Sequence, residues 1–232
     1  MAATSEMKHL RELIADIPGW LTDEEGEALY DLAKGCTGKG VIVEIGSWKG
    51  KSTTCLGLGS RAGKSVPIFA VDPHADYRFG EFKENIERAG VADLVTPIAS
   101  KSQAAVSGFD RPIELLFVDG SHEYEDVKAD FDQWVPKLVD GGTIAVHDTT
   151  LWEGPKRVVE DNIYRGTGFK DVRFVFGSTT VATKVAQNTG ADRLRARYSL
   201  TLKRGFEVAY KARRLVPGRV TRAGRRMLKA IR

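Results

Sequence analysis

From residue 40 onward, short β-branched apolar runs alternate with longer amphipathic stretches, and this alternation leaves few folds open. Each run has strand length, and each stretch between them is long enough to carry a helix back over a sheet. The runs fall at Val41–Ile45, Ile68–Val71, Leu94–Ile98, Ile113–Val118, Thr143–Val146, Val172–Phe176 and Thr180–Thr183. They predict a doubly wound α/β fold with a seven-stranded, mostly parallel sheet. Only Gly177–Thr179 joins the last two runs, so the final strand is expected to be antiparallel. Between the fourth and fifth runs, Tyr124, Val127, Phe131, Trp134, Val135 and Leu138 recur at three- and four-residue steps. That spacing predicts a helix with one face on the sheet and its acids outward, stopped by Pro136 and Gly141-Gly142.

Three regions are expected: an N-terminal helical cap at 1–38, a ligand-binding α/β domain at 39–186 and a basic helical tail at 187–232, interrupted at Pro217-Gly218. In the cap, Thr22 and Glu25 have capping-box spacing, so a helix starts there that either closes over the site as a lid or packs on the sheet. The net charge of +4 conceals an asymmetry. Residues 193–232 hold 14 Lys/Arg and one acid, Glu207, which leaves the first 192 residues at −9. An acidic body excludes a uniformly basic nucleic-acid binder. The tail is amphipathic in pattern; a membrane surface, an anionic polymer or an acidic protein face, including that of a homodimer, would attract it. Two cysteines, Cys36 and Cys55, do not make a disulfide framework, and no signal-peptide pattern precedes them, so a cytoplasmic protein is expected.

The run Val41–Ile45 leads into Gly46-Ser47-Trp48-Lys49-Gly50-Lys51-Ser52-Thr53, which opens a helix. In an open α/β sheet, ligands bind beyond the carboxyl ends of the strands, near exposed helix N–H groups. A nucleotide-binding P-loop is one alternative, but Gly46 to Ser52 is one residue short of its spacing, and Glu44 would repel a polyphosphate. A dinucleotide fingerprint fails because Trp48 fills the middle glycine position. A ligand with an amino-acid end and an adenosine end fits better: Glu44 can meet an ammonium, and Asp72, closing the second run, can bind ribose hydroxyls.

Four segments then occur in order at strand ends: Val43–Thr53, Val71-Asp72-Pro73-His74, Phe117–Tyr124 and Ile144–Thr149. Together they resemble the class I S-adenosylmethionine-dependent methyltransferases with their Rossmann-like fold, and within these the small sugar and natural-product O-methyltransferases that include bacterial, mycobacterial-type saccharide enzymes. Trp48 departs from that pattern, where many such enzymes carry a small residue. The resemblance implies adenosylmethionine bound by Glu44, Gly46, Ser47, Trp48, Lys49, Gly50, Ser52 and Thr53, its ribose by Asp72 beside Pro73 and His74, and its adenine near Ser100 and Lys101, with Asp119 adjoining.

Asp119 ends the fourth strand and His147-Asp148 end the fifth, so adjacent strands would deliver all three to one rim. The resemblance implies magnesium or manganese held there by Asp119 and Asp148, with His147 either a further ligand of the softer metal or no ligand; the alternative is that these groups line the pocket without a metal. Either His122 or His147 is then the base that takes a proton from the acceptor. Trp152, Tyr164 and the segment Asp76-Tyr77-Arg78-Phe79 either offer aromatic faces to a ring or, as is commoner for any one such residue, pack in the core. The expected reaction is metal-assisted O-methylation of a saccharide or glycosylated small molecule, with a catechol or other small-molecule hydroxyl as the alternative acceptor.

Overall fold

The computed structural model describes residues 2–74, 78–175 and 177–213. Seven strands form one sheet: β1 (Val41–Ile45), β2 (Ile68–Asp72), β3 (Val95–Ala99), β4 (Ile113–Val118), β5 (Leu138–Val146), β6 (Phe169–Val175) and β7 (Thr179–Lys184). Their order is β3-β2-β1-β4-β5-β7-β6. The first five strands run parallel, and β7 pairs antiparallel with both β5 and β6. The helices are α1 (Ala2–Ala15), α2 (Asp23–Lys34), α3 (Lys51–Ala62), α4 (Arg78–Arg88), α5 (Ser102–Ala105), α6 (Tyr124–Trp134), α7 (Glu153–Val159) and α8 (Gly190–Arg213).

The sequence pattern placed the strands to within a few residues, with one longer miss. β5 starts at Leu138, not Thr143, because Pro136 closes α6 into a single 3-10 turn and the chain enters the sheet at once. Gly141, at φ 82, sits inside β5 where the register against β4 shifts, so the glycine pair is a bulge rather than a stop before the strand. Phe176 and the break expected at Pro217-Gly218 lie outside the described residues.

Each sheet face carries its own apolar layer. Leu116 and Val118 of β4 face Phe131, Trp134 and α8's Leu200, while the alternate residues Leu115 and Phe117 face Leu29, Leu56 and Phe82. A fully buried side chain of this size contributes about 1.5–3 kcal/mol. One acid of α6 does not point outward: Asp130 is buried and accepts hydrogen bonds from Ser102 Oγ and Gln103 Nε2. α8 is held to the body by the buried Lys203, whose Nζ meets Glu207 Oε1 at 2.6 Å and Glu160 Oε1 at 3.4 Å, and by Arg204 on Glu160 at 2.7 Å.

The strand order turns back between β1 and β4, and the register across this point aligns the strand ends. Val71, Ile45, Val118 and Val146 lie side by side across β2, β1, β4 and β5. The next residue of each strand continues the ladder: Gly46 N–H donates to Val71 O, Asp119 N–H to Ile45 O and His147 N–H to Val118 O, at 2.8–2.9 Å. Asp72, Gly46, Asp119 and His147 therefore form one row along the rim. β7, running the other way, brings Ser178 and Thr179 to the same edge.

Candidate active site

Beyond that row lies an open cavity of about 650 Å³, within the range of small-molecule sites. Its floor is the Gly46 loop, its sides are Asp72-Pro73, Lys101–Gln103 and Asp119–His122, and Pro18–Leu21 forms a wall ahead of α2. The loop is set by close approach. Gly46 has φ 87, and a Cβ there would lie 2.1 Å from the Asp119 carbonyl oxygen, so no other residue fits. Trp48 follows at φ 40, costly for a large side chain. Its N–H donates to Asp72 Oδ2 at 3.0 Å, and its ring stacks on Trp20 at 5.3 Å with 22° between the planes.

Asp72 is held from both sides, since His74 N–H donates to its other oxygen at 2.7 Å. The carboxylate is thus presented to the cavity in one orientation, while the N–H that a phosphate would need on Trp48 is already taken. Ser47, Lys49, Ser52, Pro73 and Lys101 also line the cavity. Lys49 Nζ pairs with Glu81 at 2.7 Å. Five expected residues are not among those lining it, Glu44 and four others. Gly50, at φ 84, caps α3. Ser100 Oγ donates to the Lys101 carbonyl. His74 is buried between Phe79 and Phe82. Thr53 is fully buried and donates to Glu44.

Glu44 points away from the cavity into α3, where Ser52 Oγ and Thr53 Oγ1 donate to its carboxyl. It is completely buried, and burial pushes it up to about 8 despite those hydrogen bonds. With a folded value above the unfolded one, its favourable contribution is present below about pH 4.5 and is lost as pH rises toward 8. Glu44→Gln is therefore expected to flatten the stability profile between those limits, relative to wild type, in urea melts across that pH range. An unchanged slope would mean Glu44 ionises freely.

The reacting rim is denser than the spacing implied. Asp119 and His147 meet through Oδ1 and Nδ1 at 2.9 Å, and Asp148 Oδ2 lies 3.6 Å from the same nitrogen. On the other side of the ring, Nε2 is buried 3.5 Å from Glu25 Oε1, a contact between charges rather than a formed hydrogen bond. Burial alone would lower His147, but the carboxylates of Asp119 and Glu25 raise it to about 11, so it is an imidazolium. Burial alone would raise Glu25, yet His147 and the N–H groups of Thr22 and Ser178 hold it at about 2. Asp148 has φ 57, and its Oδ2 accepts from His122 Nε2 at 2.8 Å. His122 in turn stacks flat on Trp152, ring centres 4.0 Å apart and 10° between planes.

The three expected metal ligands do converge: one ligand atom each from Asp119, His147 and Asp148 lies within 4.8 Å of the others. Their chemistry differs. Asp119 and Asp148 offer partly exposed carboxylate oxygens suited to a hard cation, while a protonated His147 bonded to Asp119 has no lone pair there to give. Tyr164 is buried in the core, its hydroxyl on Thr180, and offers no face to a ligand. Asp76 and Tyr77 lie outside the described residues, while Arg78 lines the cavity. Sequence reading did not single out Trp20, Glu25 as a site residue, Gln103, Asp130 or Ser178. Only Glu25 carried a signal, and its capping-box spacing already accounted for it.

Residues 43–149 match the Methyltransf_24 family, described as a methyltransferase domain. The protein y4gI of Sinorhizobium fredii is 34% identical over 121 residues, 48% of this chain, and the match spans 13% of that protein's length. Among solved structures, a Corynebacterium glutamicum protein superposes with a TM-score of 0.61 at 20% identity, covering 79% of this chain and 91% of that one. The O-methyltransferase TomG of Streptomyces achromogenes, solved with SAM and involved in tomaymycin synthesis, gives 0.58 at 18% identity, covering 78% and 90%. An O-methyltransferase of Bacillus cereus, in complex with SAH, gives 0.56 at 16% identity, covering 78% and 91%.

Proposed function

From the match of residues 43–149 to a methyltransferase domain and the likeness of the fold to solved O-methyltransferases, we propose that the protein is an S-adenosylmethionine-dependent O-methyltransferase acting on a hydroxyl of a small molecule. The observation that carries this reading is the cavity beyond the rim, which a ribose-type carboxylate, Asp72, a glycine loop at Gly46 and a candidate base, His122, line together. Asp72, fixed by two backbone N–H groups, accepts the ribose hydroxyls. The Gly46 loop lets the amino-acid end approach the backbone, and Lys101, Ser102 and Gln103 border the adenine. Adenosylmethionine supplies an activated methyl on a sulfonium, so the residues have only to align the acceptor oxygen and remove its proton.

His122 is the base in this reading. The Asp148 carboxylate accepts a hydrogen bond from Nε2–H, which leaves Nδ1 to accept the hydroxyl proton, and Trp152 holds the ring plane. His147, already an imidazolium, acts instead as a donor that fixes Asp119. Asp119 and Asp148 would hold magnesium or manganese, and such an ion, when bound, makes the acceptor hydroxyl more acidic. The exposed indole of Trp20 on the cavity wall, together with Trp152 stacked on His122, favours a ring-shaped acceptor, a saccharide or glycosylated small molecule, which stacks on aromatic faces. The helical cap at 1–38 completes the site through Pro18–Leu21 and Glu25, and the homodimer remains part of the proposal as the arrangement in which the acidic body faces a partner's basic tail.

Titration calorimetry with S-adenosylhomocysteine, with and without magnesium or manganese, tests the reading. Asp72→Ala is expected to weaken binding about 100-fold or more, since a charged hydrogen bond contributes about 1.5–3 kcal/mol and two are lost. Wild-type protein that binds a nucleoside triphosphate and not the homocysteine would overturn it.

A further inference from the structure

α8 has one face covered by the body and an apolar strip that is not. Its inner strip, Ala196, Leu200, Lys203 and Glu207, is buried on the body. Its outer strip is Leu194, Tyr198, Leu202 and Val208, which are 69%, 63%, 40% and 68% exposed. At about 100° per residue, these four span an arc of about 120° centred away from the core. Arg197, Arg204 and Lys211 border the strip on one side and Arg195 on the other, all exposed. Four large apolar side chains in one exposed stripe are more than a scatter of surface residues accounts for.

Charge selects the occupant. In the sequence, residues 214–232 hold seven Lys/Arg and no acid. A second copy docked by two-fold symmetry would set one Arg197, Arg204 and Lys211 border against another. A nucleic acid would meet the apolar strip before the cations. Among the described residues, no helix is long and apolar enough to cross a membrane. An apolar strip with basic borders and an interfacial tyrosine matches a helix lying in the plane of a lipid surface.

We propose that α8 seats the protein on an anionic phospholipid leaflet, with Leu194, Tyr198, Leu202 and Val208 entering the acyl boundary and the arginines meeting the phosphates. The test is co-sedimentation of the whole protein with phosphatidylcholine vesicles with and without phosphatidylglycerol, alongside Leu194→Glu/Tyr198→Glu/Leu202→Glu. This variant touches neither the cavity nor the buried strip, so circular dichroism and S-adenosylhomocysteine affinity should match wild type. Wild type is expected to partition about tenfold or more into the anionic vesicles, in a manner that salt weakens and the triple variant abolishes. Equal partitioning into both vesicle types, or sedimentation that the variant leaves intact, overturns the proposal. So does a wild-type dimer, seen by light scattering, that the variant dissolves without any vesicle binding. A wild type that binds the vesicles but not S-adenosylhomocysteine would defeat the methyltransferase reading and not this one.

Discussion

Replacing His122 with alanine is expected to lower kcat about 10²–10⁴-fold while leaving the affinity for S-adenosylhomocysteine within a few-fold of wild type. The side chain stands at the cavity edge with one nitrogen committed to Asp148 at 2.8 Å and its face packed on Trp152, so it is oriented before any acceptor arrives. Removing it takes away the proton acceptor but none of the groups assigned to the donor. Asp148→Asn keeps the size of the partner and loses its charge, so the loss should be of the same order and should appear in kcat rather than in donor binding. Steady-state kinetics on a panel of saccharide and catechol acceptors provides the check. A His122→Ala enzyme within a few-fold of wild type on a turned-over acceptor would remove His122 from the base role.

Glu25→Ala is expected to be the most destabilising single exchange, at about 3–5 kcal/mol, because it removes one of the two carboxylates that balance buried His147 and leaves the donors of Ser178 and Thr179 unpaired. Glu25 is 1% exposed and joins parts of the chain more than 150 residues apart. It closes the capping box with Thr22, accepts from Ser178 N–H at 2.6 Å and Thr179 Oγ1 at 2.9 Å, and balances His147. Gly177, at φ 134, makes room for it, since a Cβ there would meet the carboxyl at 2.5 Å. At about 2–4 °C per kcal/mol for a chain of this size, calorimetry should show Tm lowered by roughly 10 °C. The folded value near 2 lies below the ordinary 4.5, so the carboxylate's contribution is complete above about pH 4.5 and disappears as pH falls toward 2. Glu25→Gln should lack that acid-side decline. A melting temperature unchanged by Glu25→Ala would mean that His147 is neutral in the fold.

Much of the fold was legible in the residues because strands advertise themselves locally. β1, β2 and β4 are β-branched runs ending in Gly46, Asp72 and Asp119, and parallel register alone then aligns those ends. The first half of β5 was hidden because a proline and two glycines read as punctuation, whereas a bulge absorbs them inside the strand. Asp130 was misplaced because a charged residue in a helix is ordinarily solvated, and only its contacts with Ser102 and Gln103 make burial tolerable. The protonation of His147 was unreadable for a different reason. It depends on Glu25, and no local spacing tells that a capping residue on α2 faces the end of β5.

The closeness of Gly46 to the Asp119 carbonyl limits how such a chain can diverge. The contact leaves no room for a side chain, so the donor half is frozen against change. The wall ahead of α2 is built otherwise: Trp20, which lines the cavity there, is 82% exposed. Exchanges there cost little folding energy. The acceptor repertoire can therefore drift by mutation at that wall while the methyl donor stays the same, and lineages sharing this architecture can acquire new substrates without passing through an unstable intermediate.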